Sequence, residues 1–245
     1  MTENGGCPSA PPSSTFCHKT DPVTPAPPLQ RTRIKICGLT RESDVDAAVA
    51  AGADAVGFVM YPKSPRFVSV ARAKELASRL PAFVTPVLLF VNASVDEVKA
   101  AHAQIPASLI QYHGDETPAQ CEAAGLAYIR AARIPLGAEG AKFDLVKYAH
   151  DFSSAQAILL DAHVEAYGGA GQSFQWSLLP TNVNAHLVLS GGLNAANVTE
   201  GIASVRPRCR SLAVDVSSGV EASKGIKDPE KIIQFITAVR RADAA

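Results

Sequence analysis

The sequence has few cysteines, no long apolar run and no excess of either charge, and each shortage excludes a class of protein. Its five cysteines, at positions 7, 17, 37, 121 and 209, match neither a disulfide framework nor a zinc site. Twenty-three basic residues balance 23 acidic ones, which argues against nucleic acid as a partner. No apolar run approaches the roughly 18 residues of a membrane-spanning helix, and no signal-peptide pattern opens the chain. We therefore expect a soluble protein of the cytoplasm that has no membrane partner.

Two regions of different composition divide the chain. Residues 1–30 are rich in proline, serine and threonine and have almost no periodic apolar residues, so we expect a disordered extension. Cys7, Cys17 and His18 lie there, but scattered ligands without a paired cluster do not make a metal site. From residue 33 to residue 245, strand-like apolar runs alternate with helical patterns without a linker. The sequence therefore predicts one catalytic domain over residues 33–245.

This domain contains eight strand-then-helix units. The predicted strands are residues 34–37, 55–60, 86–91, 109–113, 127–134, 157–162, 187–190 and 212–216. The predicted helices span residues 42–51, 70–80, 139–148, 176–179, 195–203 and 229–240, and two more begin near residues 94 and 117. Ser94 and Glu97 have the spacing of a capping box, and Pro118 suits a first helical turn.

Eight such units in roughly 210 residues fit a single (β/α)8 TIM barrel better than a doubly wound sheet, which usually has fewer strands. The strands are apolar at nearly every position, as expected when both faces are buried. In this fold the active site lies at the carboxyl ends of the strands. Polar residues at the predicted strand ends are therefore functional candidates: Cys37, His113, Asp161, Ser190 and Asp215.

Cys37 ends the first strand and shares a strand face with Lys35, because side chains alternate along a strand. A neighbouring ammonium favours the thiolate, which acts as a nucleophile or as a base. An inert buried thiol is the commoner role of an isolated cysteine. Asp161 ends an apolar strand, where an unpaired carboxylate is costly, so we expect it to be used in chemistry.

The loops after the last two strands resemble an anion cradle. Gly191-Gly192 and Ser217-Ser218-Gly219 offer backbone N–H groups, hydroxyls and a helix N-terminus to one phosphate, at a barrel position where phosphates commonly bind. Arg66, after the second strand, is placed to hold a substrate carboxylate through a bidentate contact, or else to lie in solvent. The glycine-rich stretch 168–171 is either a lid or a simple turn.

Three other chemistries are conceivable for the residues at the strand ends: hydrolysis, metal binding and Schiff-base formation. Ser190-Gly191-Gly192 is not a nucleophile elbow, so hydrolysis has no support. The segment that begins at His113 lacks the spacing of metal ligands, so we predict no metal site. Lys35 is a possible Schiff-base lysine. However, strand eight neighbours strand one in a closed barrel, so Asp215 is placed to pair with Lys35 and keep it charged.

Eight segments, in order along the domain, resemble phosphoribosylanthranilate isomerase. They are residues 35–40 (KICGLT), 57–66 (GFVMYPKSPR), 90–92 (FVN), 111–114 (QYHG), 160–161 (LD), 167–171 (YGGAG), 189–193 (LSGGL) and 215–221 (DVSSGVE). The resemblance runs from residue 33 to the C-terminus. The extension over residues 1–30 is the one departure from the family pattern.

The resemblance implies a cofactor-free Amadori rearrangement in tryptophan biosynthesis. The small-molecule substrate would be N-(5′-phosphoribosyl)anthranilate and the product 1-(2-carboxyphenylamino)-1-deoxyribulose 5-phosphate. Asp161 would be the general acid and Cys37 the base. Arg66 would hold the anthranilate carboxylate, and the two glycine-containing loops would bind the phosphate.

Rival interpretations remain open at this point. An indole-glycerol-phosphate synthase would be expected to use a lysine acid, and a sugar isomerase of histidine synthesis would use paired aspartates. A catalytically silent phosphometabolite-binding barrel would need neither Cys37 nor Asp161, so their presence disfavours it. The sequence does not decide between a monomer and a homodimer, nor does it show whether a second sugar phosphate is tolerated.

Overall fold

The structure, a computed structural model, describes residues 1–2, 31–162 and 176–244. The barrel strands are β1 Arg33–Cys37, β2 Ala55–Val59, β3 Thr85–Phe90, β4 Leu109–Tyr112, β5 Tyr128–Ile134, β6 Ala157–Ala162, β7 His186–Leu189 and β8 Ser211–Val216. The α-helices are α1 Glu42–Ala51, α2 Val70–Ala77, α3 Val95–Gln104, α4 Pro118–Glu122, α5 Leu145–Asp151, α6 Val198–Val205 and α7 Pro229–Ala244. Nearly all of the expected disordered extension and the whole stretch 168–171 lie outside the described residues.

The eight strands form a closed parallel barrel in sequence order, which confirms the predicted fold. β1 pairs with β2 on one side and with β8 on the other, and this second pairing closes the cylinder. The large apolar cluster of the core lies between strands and helices. A smaller cluster is formed by alternate residues of neighbouring strands: Ile129, Ala131, Leu159 and Val188. All eight carboxyl strand ends therefore meet on one rim.

Helix ends follow local chemistry that the sequence displays. α1 stops at Gly52, whose φ of 93° is left-handed and whose N–H bonds to the carbonyls of Ala48 and Val49. α3 begins with the predicted capping box between Ser94 and Glu97. These boundaries are predictable because the residues that set them are close in sequence.

Several predicted helices are wrong in their bounds. α2 ends at Ala77 rather than residue 80, α7 continues to Ala244 rather than residue 240, and the short helix after β6 is a 3₁₀ turn, Trp176–Leu178. Residues 139–148 form not one helix but a 3₁₀ segment, Gly137–Lys142, followed by α5, because the Asp144 side chain accepts a hydrogen bond from the Lys147 N–H and caps a new helix. The helix after β7 begins at Val198 rather than residue 195. Asn197 accepts the N–H of Asn194, so the intervening residues form a turn first.

A short hairpin after β8 was not predicted. β9, Glu221–Ser223, pairs antiparallel with β10, Ile226–Lys227. Because it follows β8, the hairpin lies beside the carboxyl rim of the barrel. Across residues 31–162 and 176–244, no helix is long and apolar enough to cross a membrane. The same ranges contain no group of three or more His, Cys, Asp or Glu side chains that could hold a metal ion.

Candidate active site

Cys37 and Lys35 point to the same side of β1, as their alternation predicts, and both are buried. Cys37 lies opposite Gly57 of β2. A Cβ at Gly57 would lie 2.7 Å from Cys37 Sγ and 3.1 Å from Lys35 Cε. The missing side chain at Gly57 therefore leaves the space in which the thiol and the lysine stem lie, a role that the sequence analysis did not assign.

The expected pair between Lys35 and Asp215 is present. The two residues are in register on β1 and β8, and Lys35 Nζ donates to Asp215 Oδ1 over 2.8 Å. Burial lowers the pKa of Lys35, but Asp215 and, to a smaller extent, Cys37 raise it, and together they hold that pKa above its usual value. Lys35 is thus held as an ammonium, which argues against a Schiff-base role that requires a free amine.

The charge of Lys35 does not by itself make Cys37 a thiolate. Burial raises the pKa of the Cys37 thiol, Lys35 lowers it, and the Asp215 carboxylate raises it again, with a net rise. The expectation that Lys35 favours the thiolate is correct for the interaction between Lys35 and Cys37 alone, which lowers the pKa of the thiol. Cys37 is nevertheless a thiol at rest, because the cost of burying a negative sulfur is the larger effect.

Asp161 is the penultimate residue of β6, on the same rim, and bonds to His113, which follows β4. His113 Nε2 lies 2.9 Å from Asp161 Oδ2, and its Nδ1 lies 3.1 Å from the side-chain nitrogen of Gln111. All three side chains are buried. Asp161 is therefore a partnered carboxylate, and the sequence analysis missed Gln111 because a glutamine within a buried strand carries no catalytic signature.

Arg66 is neither solvated nor free. It is buried, and it holds Glu221 with Nε to Oε1 at 2.7 Å and Nη2 to Oε2 at 2.8 Å. Burial raises the pKa of Glu221, but the hydrogen bond from Arg66 and the nearby Lys227 lower it more, so Glu221 is ionised. The Glu221 contact uses the Nε–Nη2 edge, so a substrate carboxylate would have to meet the Nη1–Nη2 edge.

Lys227, on β10, forms an ionic cluster with Arg66 and Glu221. Its fully buried Nζ bonds to Glu221 Oε1 at 2.8 Å and to the Ser217 carbonyl at 3.0 Å. Burial lowers the pKa of Lys227 and the Glu221 carboxylate raises it, with a net lowering, so the ammonium of Lys227 next to the loop after β8 depends on Glu221. Glu221 and Lys227 had no predicted role, because the hairpin that joins them was not expected.

The loops after β7 and β8 approach each other as predicted. Gly191 and Gly192 are both left-handed, with φ of 75° and 67°. A Cβ at Gly191 would lie 2.8 Å from Asp161 Oδ1, and one at Gly219 would overlap the Leu193 carbonyl. Glycine at these positions lets the two loops touch and lets the β7 loop contact Asp161.

Comparisons with known proteins show which family this chain resembles. The family model described as N-(5′-phosphoribosyl)anthranilate (PRA) isomerase matches residues 34–238. A protein of that name from Methylibium petroleiphilum is 64% identical over 214 residues, which are 87% of this chain and 96% of the relative.

Two solved structures show the same barrel. A phosphoribosylanthranilate isomerase in complex with reduced 1-(o-carboxyphenylamino)-1-deoxyribulose 5-phosphate is 36% identical, with a TM-score of 0.72, and the match covers 86% of this chain and 99% of that one. Generated monomers of the dimeric enzyme from Thermotoga maritima are 34% identical, with a TM-score of 0.69 and the same coverage. The chain therefore belongs to the N-(5′-phosphoribosyl)anthranilate isomerase family.

Proposed function

We propose that this protein isomerises N-(5′-phosphoribosyl)anthranilate, a step of tryptophan biosynthesis, with Cys37 as the base and Asp161 as the general acid. The observation that carries the proposal is the position of these two groups on one rim, which also carries the cationic cluster at Arg66 and the glycine loops after β7 and β8. Membership of the family supplies the reaction. The resemblance to the family implies the roles of the residues, and the geometry of the rim supports them.

The reaction needs one proton donated and one removed. Asp161 gives its proton to the ring oxygen of the furanose while the C1′–O bond breaks and the anilinic nitrogen forms a C1′=N bond. The Cys37 thiolate then takes the proton from C2′, and the electrons of that C–H bond form the enolamine. Protonation at C1′ and loss of the enol proton give the ketone, so no covalent bond to sulfur is required.

The charged side chains at the rim support this order of proton transfers. The Lys35 ammonium next to Cys37 stabilises the thiolate that must form, although burial opposes it. The Nη1–Nη2 edge of Arg66 binds the anthranilate carboxylate, with Glu221 fixing the orientation of the guanidinium. The loops around Gly191-Gly192 and Ser217-Ser218-Gly219 bind the phosphate through backbone N–H groups and hydroxyls.

Anthranilate fluorescence tests the activity directly. Purified protein is expected to consume N-(5′-phosphoribosyl)anthranilate, which is followed as a change of fluorescence, and to form the ketose product without an added metal or cofactor. The substrates of indole-glycerol-phosphate synthase and of the histidine-pathway isomerase serve as comparisons. No consumption of the anthranilate compound would instead support the silent phosphometabolite-binding barrel.

We assign the protein to the cytoplasm. Cys37, Cys121 and Cys209 are free thiols in the part of the chain that the structure describes. Disulfides form mainly in oxidising compartments, so unpaired cysteines suit a reducing one. A catalytic base at Cys37 also requires a compartment that keeps the thiol reduced.

We infer that the protein forms a homodimer through the loop between α2 and β3. Phe83 in this loop is fully exposed and has a left-handed φ of 72°, which is uncommon for a bulky residue. It borders a cavity of about 420 Å³ whose wall is largely apolar, formed by residues such as Leu80, Pro81, Val84, Pro86, Ile105 and Pro106. A two-fold axis would place each Phe83 in the cavity of the other copy.

Light scattering coupled to size exclusion tests this dimer. The wild type is expected at twice the chain mass, and Phe83→Ser is expected at the chain mass, because the replacement removes the buried aromatic anchor of a small interface. Ile233→Ser is the matched control, since Ile233 is another exposed apolar residue, on α7. A monomeric wild type, or a dimer that survives Phe83→Ser, would contradict the interface.

A further inference from the structure

Lys227 is a buried lysine that the proposed mechanism does not use. Its side chain is fully buried, and three oxygen atoms lie within hydrogen-bond distance of its Nζ: Glu221 Oε1 at 2.8 Å, the Ser217 carbonyl at 3.0 Å and Ser217 Oγ at 3.3 Å. A lysine nitrogen has at most three donors, so these partners use all of them. Any effect of Lys227 on the reaction therefore passes through the groups that it holds.

The backbone of Lys227 is fixed to the start of α1. Its N–H donates to Asp44 Oδ2 at 3.3 Å, and its carbonyl accepts from Arg41 Nη2 at 3.3 Å. Asp44 lies in the first turn of α1, and Arg41 directly precedes that helix and pairs with Asp44. The lysine is thus anchored to a helix of the barrel, and a side chain anchored in this way holds its partners in fixed positions.

The first partner is the peptide group between Ser217 and Ser218, in the loop proposed to bind the phosphate. Its carbonyl accepts from Lys227 and, over a longer 3.4 Å, from the Val220 N–H. The described residues contain no cis peptide bond, and in a trans peptide the C=O and N–H point in opposite directions. The Ser218 N–H is therefore directed away from Lys227. Backbone hydrogen bonds among the described residues leave this N–H unused, so it is available to an anion.

The second partner is Glu221, which holds the guanidinium of Arg66 with both carboxylate oxygens. Glu221 Oε1 is shared, since it accepts from Arg66 Nε at 2.7 Å and from Lys227 Nζ at 2.8 Å. Lys227 thus lies one hydrogen bond from the loop proposed for the phosphate and two hydrogen bonds from the guanidinium proposed for the carboxylate.

The two proposed anchors also approach each other at Gly38. A Cβ at Gly38 would lie 2.5 Å from Arg66 Cδ and 3.2 Å from Ser217 Oγ. Gly38 directly follows Cys37 in the chain. The groups that Lys227 holds therefore lie on either side of the strand end that carries the proposed base.

We propose that Lys227 is a positioning residue for both anionic ends of the substrate. Its Nζ orients the peptide group between Ser217 and Ser218 for the phosphate and, through Glu221, the guanidinium of Arg66 for the carboxylate. The two anchors are thereby held at a fixed separation, which fixes the position of the sugar between them. The inference rests on the proposed substrate sites, and its test is chosen so that the two can fail separately.

The affinities for the two ends are measured separately at constant ionic strength. Inorganic phosphate and anthranilate each displace the reduced product analogue, reduced 1-(o-carboxyphenylamino)-1-deoxyribulose 5-phosphate, in calorimetric titrations. Lys227→Met removes the donors and keeps an unbranched side chain. It is expected to weaken the binding of both probes by at least about tenfold, because a small displacement of an anchoring group already costs this much. Lys224→Met makes the same change at an exposed lysine in the same hairpin and should leave both affinities unaltered.

Glu221→Gln separates the two partners. It leaves the contact between Lys227 and Ser217 but weakens the hold on Arg66, so it is expected to weaken anthranilate more than phosphate. In turnover, Lys227→Met should raise KM by a larger factor than it lowers kcat. A lysine with only a structural role would lower the melting temperature without changing either affinity. In Lys227→Met, a change in neither affinity, or in only one of them, would overturn the proposal.

Arg66→Met distinguishes a failure of the proposed function from a failure of this inference. If Arg66→Met keeps the wild-type affinity for anthranilate, the proposed carboxylate site is wrong. If Arg66→Met loses that affinity and Lys227→Met keeps it, the site stands and the role of Lys227 is wrong.

The wild type provides a measurement that does not depend on the folding of Lys227→Met. In ¹⁵N-serine-labelled protein, the amide signal of Ser218, identified by its absence in Ser218→Ala, is expected to shift when inorganic phosphate is added. An unshifted Ser218 signal would overturn the orientation of the peptide group that Lys227 holds.

Discussion

Replacing Cys37 with serine is expected to lower kcat by about 10²- to 10⁴-fold, the usual contribution of a positioned base. Serine preserves the size of the side chain, but its hydroxyl is far less acidic than a thiol, so it does not supply an anion to remove the C2′ proton. The reduced product analogue should still bind, because the proposed contacts to its carboxylate and phosphate, from Arg66 and the loops after β7 and β8, do not involve Cys37. Steady-state kinetics and titration with that analogue measure the two effects.

The pH dependence of the wild type provides a further check on Cys37. Burial raises the pKa of its thiol, so the thiolate is the minor form near neutrality and kcat/KM, which reports the groups of the free enzyme, should increase as the pH rises through that pKa. Cys209→Ser is the matched control, because Cys209 is a half-buried thiol outside the rim. Near-normal turnover in Cys37→Ser would exclude the cysteine as the base.

Asp161→Asn is expected to lower kcat by a similar factor, about 10²- to 10⁴-fold. Asparagine has the shape of the carboxyl group and still bonds to His113, but it has no proton to transfer to the ring oxygen. Ring opening should therefore become the slow step, and the open-chain intermediate should not accumulate. Single-turnover measurements with excess enzyme distinguish this from a loss of binding.

The control for Asp161 is Asp96→Asn, which makes the same change at an exposed position in the first turn of α3. It should leave kcat unaltered. A second comparison uses the reduced product analogue, which should bind to Asp161→Asn with nearly the wild-type affinity. Turnover of Asp161→Asn within about tenfold of the wild type would remove Asp161 from the role of general acid.

The positions of Cys37 and Asp161 could be predicted because a parallel barrel imposes a simple rule. Each strand is a short apolar run, and the polar residue that ends it must lie on the carboxyl rim. The pairing of Lys35 with Asp215 follows from the same rule, since closure makes β1 and β8 neighbours. Helix ends set by nearby residues, such as Gly52, were also accessible.

The rest of the site depends on contacts between residues far apart in sequence. Glu221 is held by Arg66, which lies 155 residues earlier, and a carboxylate in a loop gives no sign of that partner. In the sequence, Gln111 is only a polar residue in an apolar strand. Its contact with His113 becomes visible in the structure. The resting thiol at Cys37 depends on how deeply the strand end is buried, which alternation along β1 does not reveal.

The pairing of β1 with β8 also determines when the site can form during synthesis. Lys35 and Asp215 are 180 residues apart, so β1, which carries the proposed base, can pair with β8 only after almost the whole domain has left the ribosome. Closing so long a loop is a slow, late event in folding. Before β8 pairs with β1, the nascent chain therefore lacks the closed rim that brings the proposed base Cys37 and acid Asp161 together. Catalytic activity is expected only once the barrel closes.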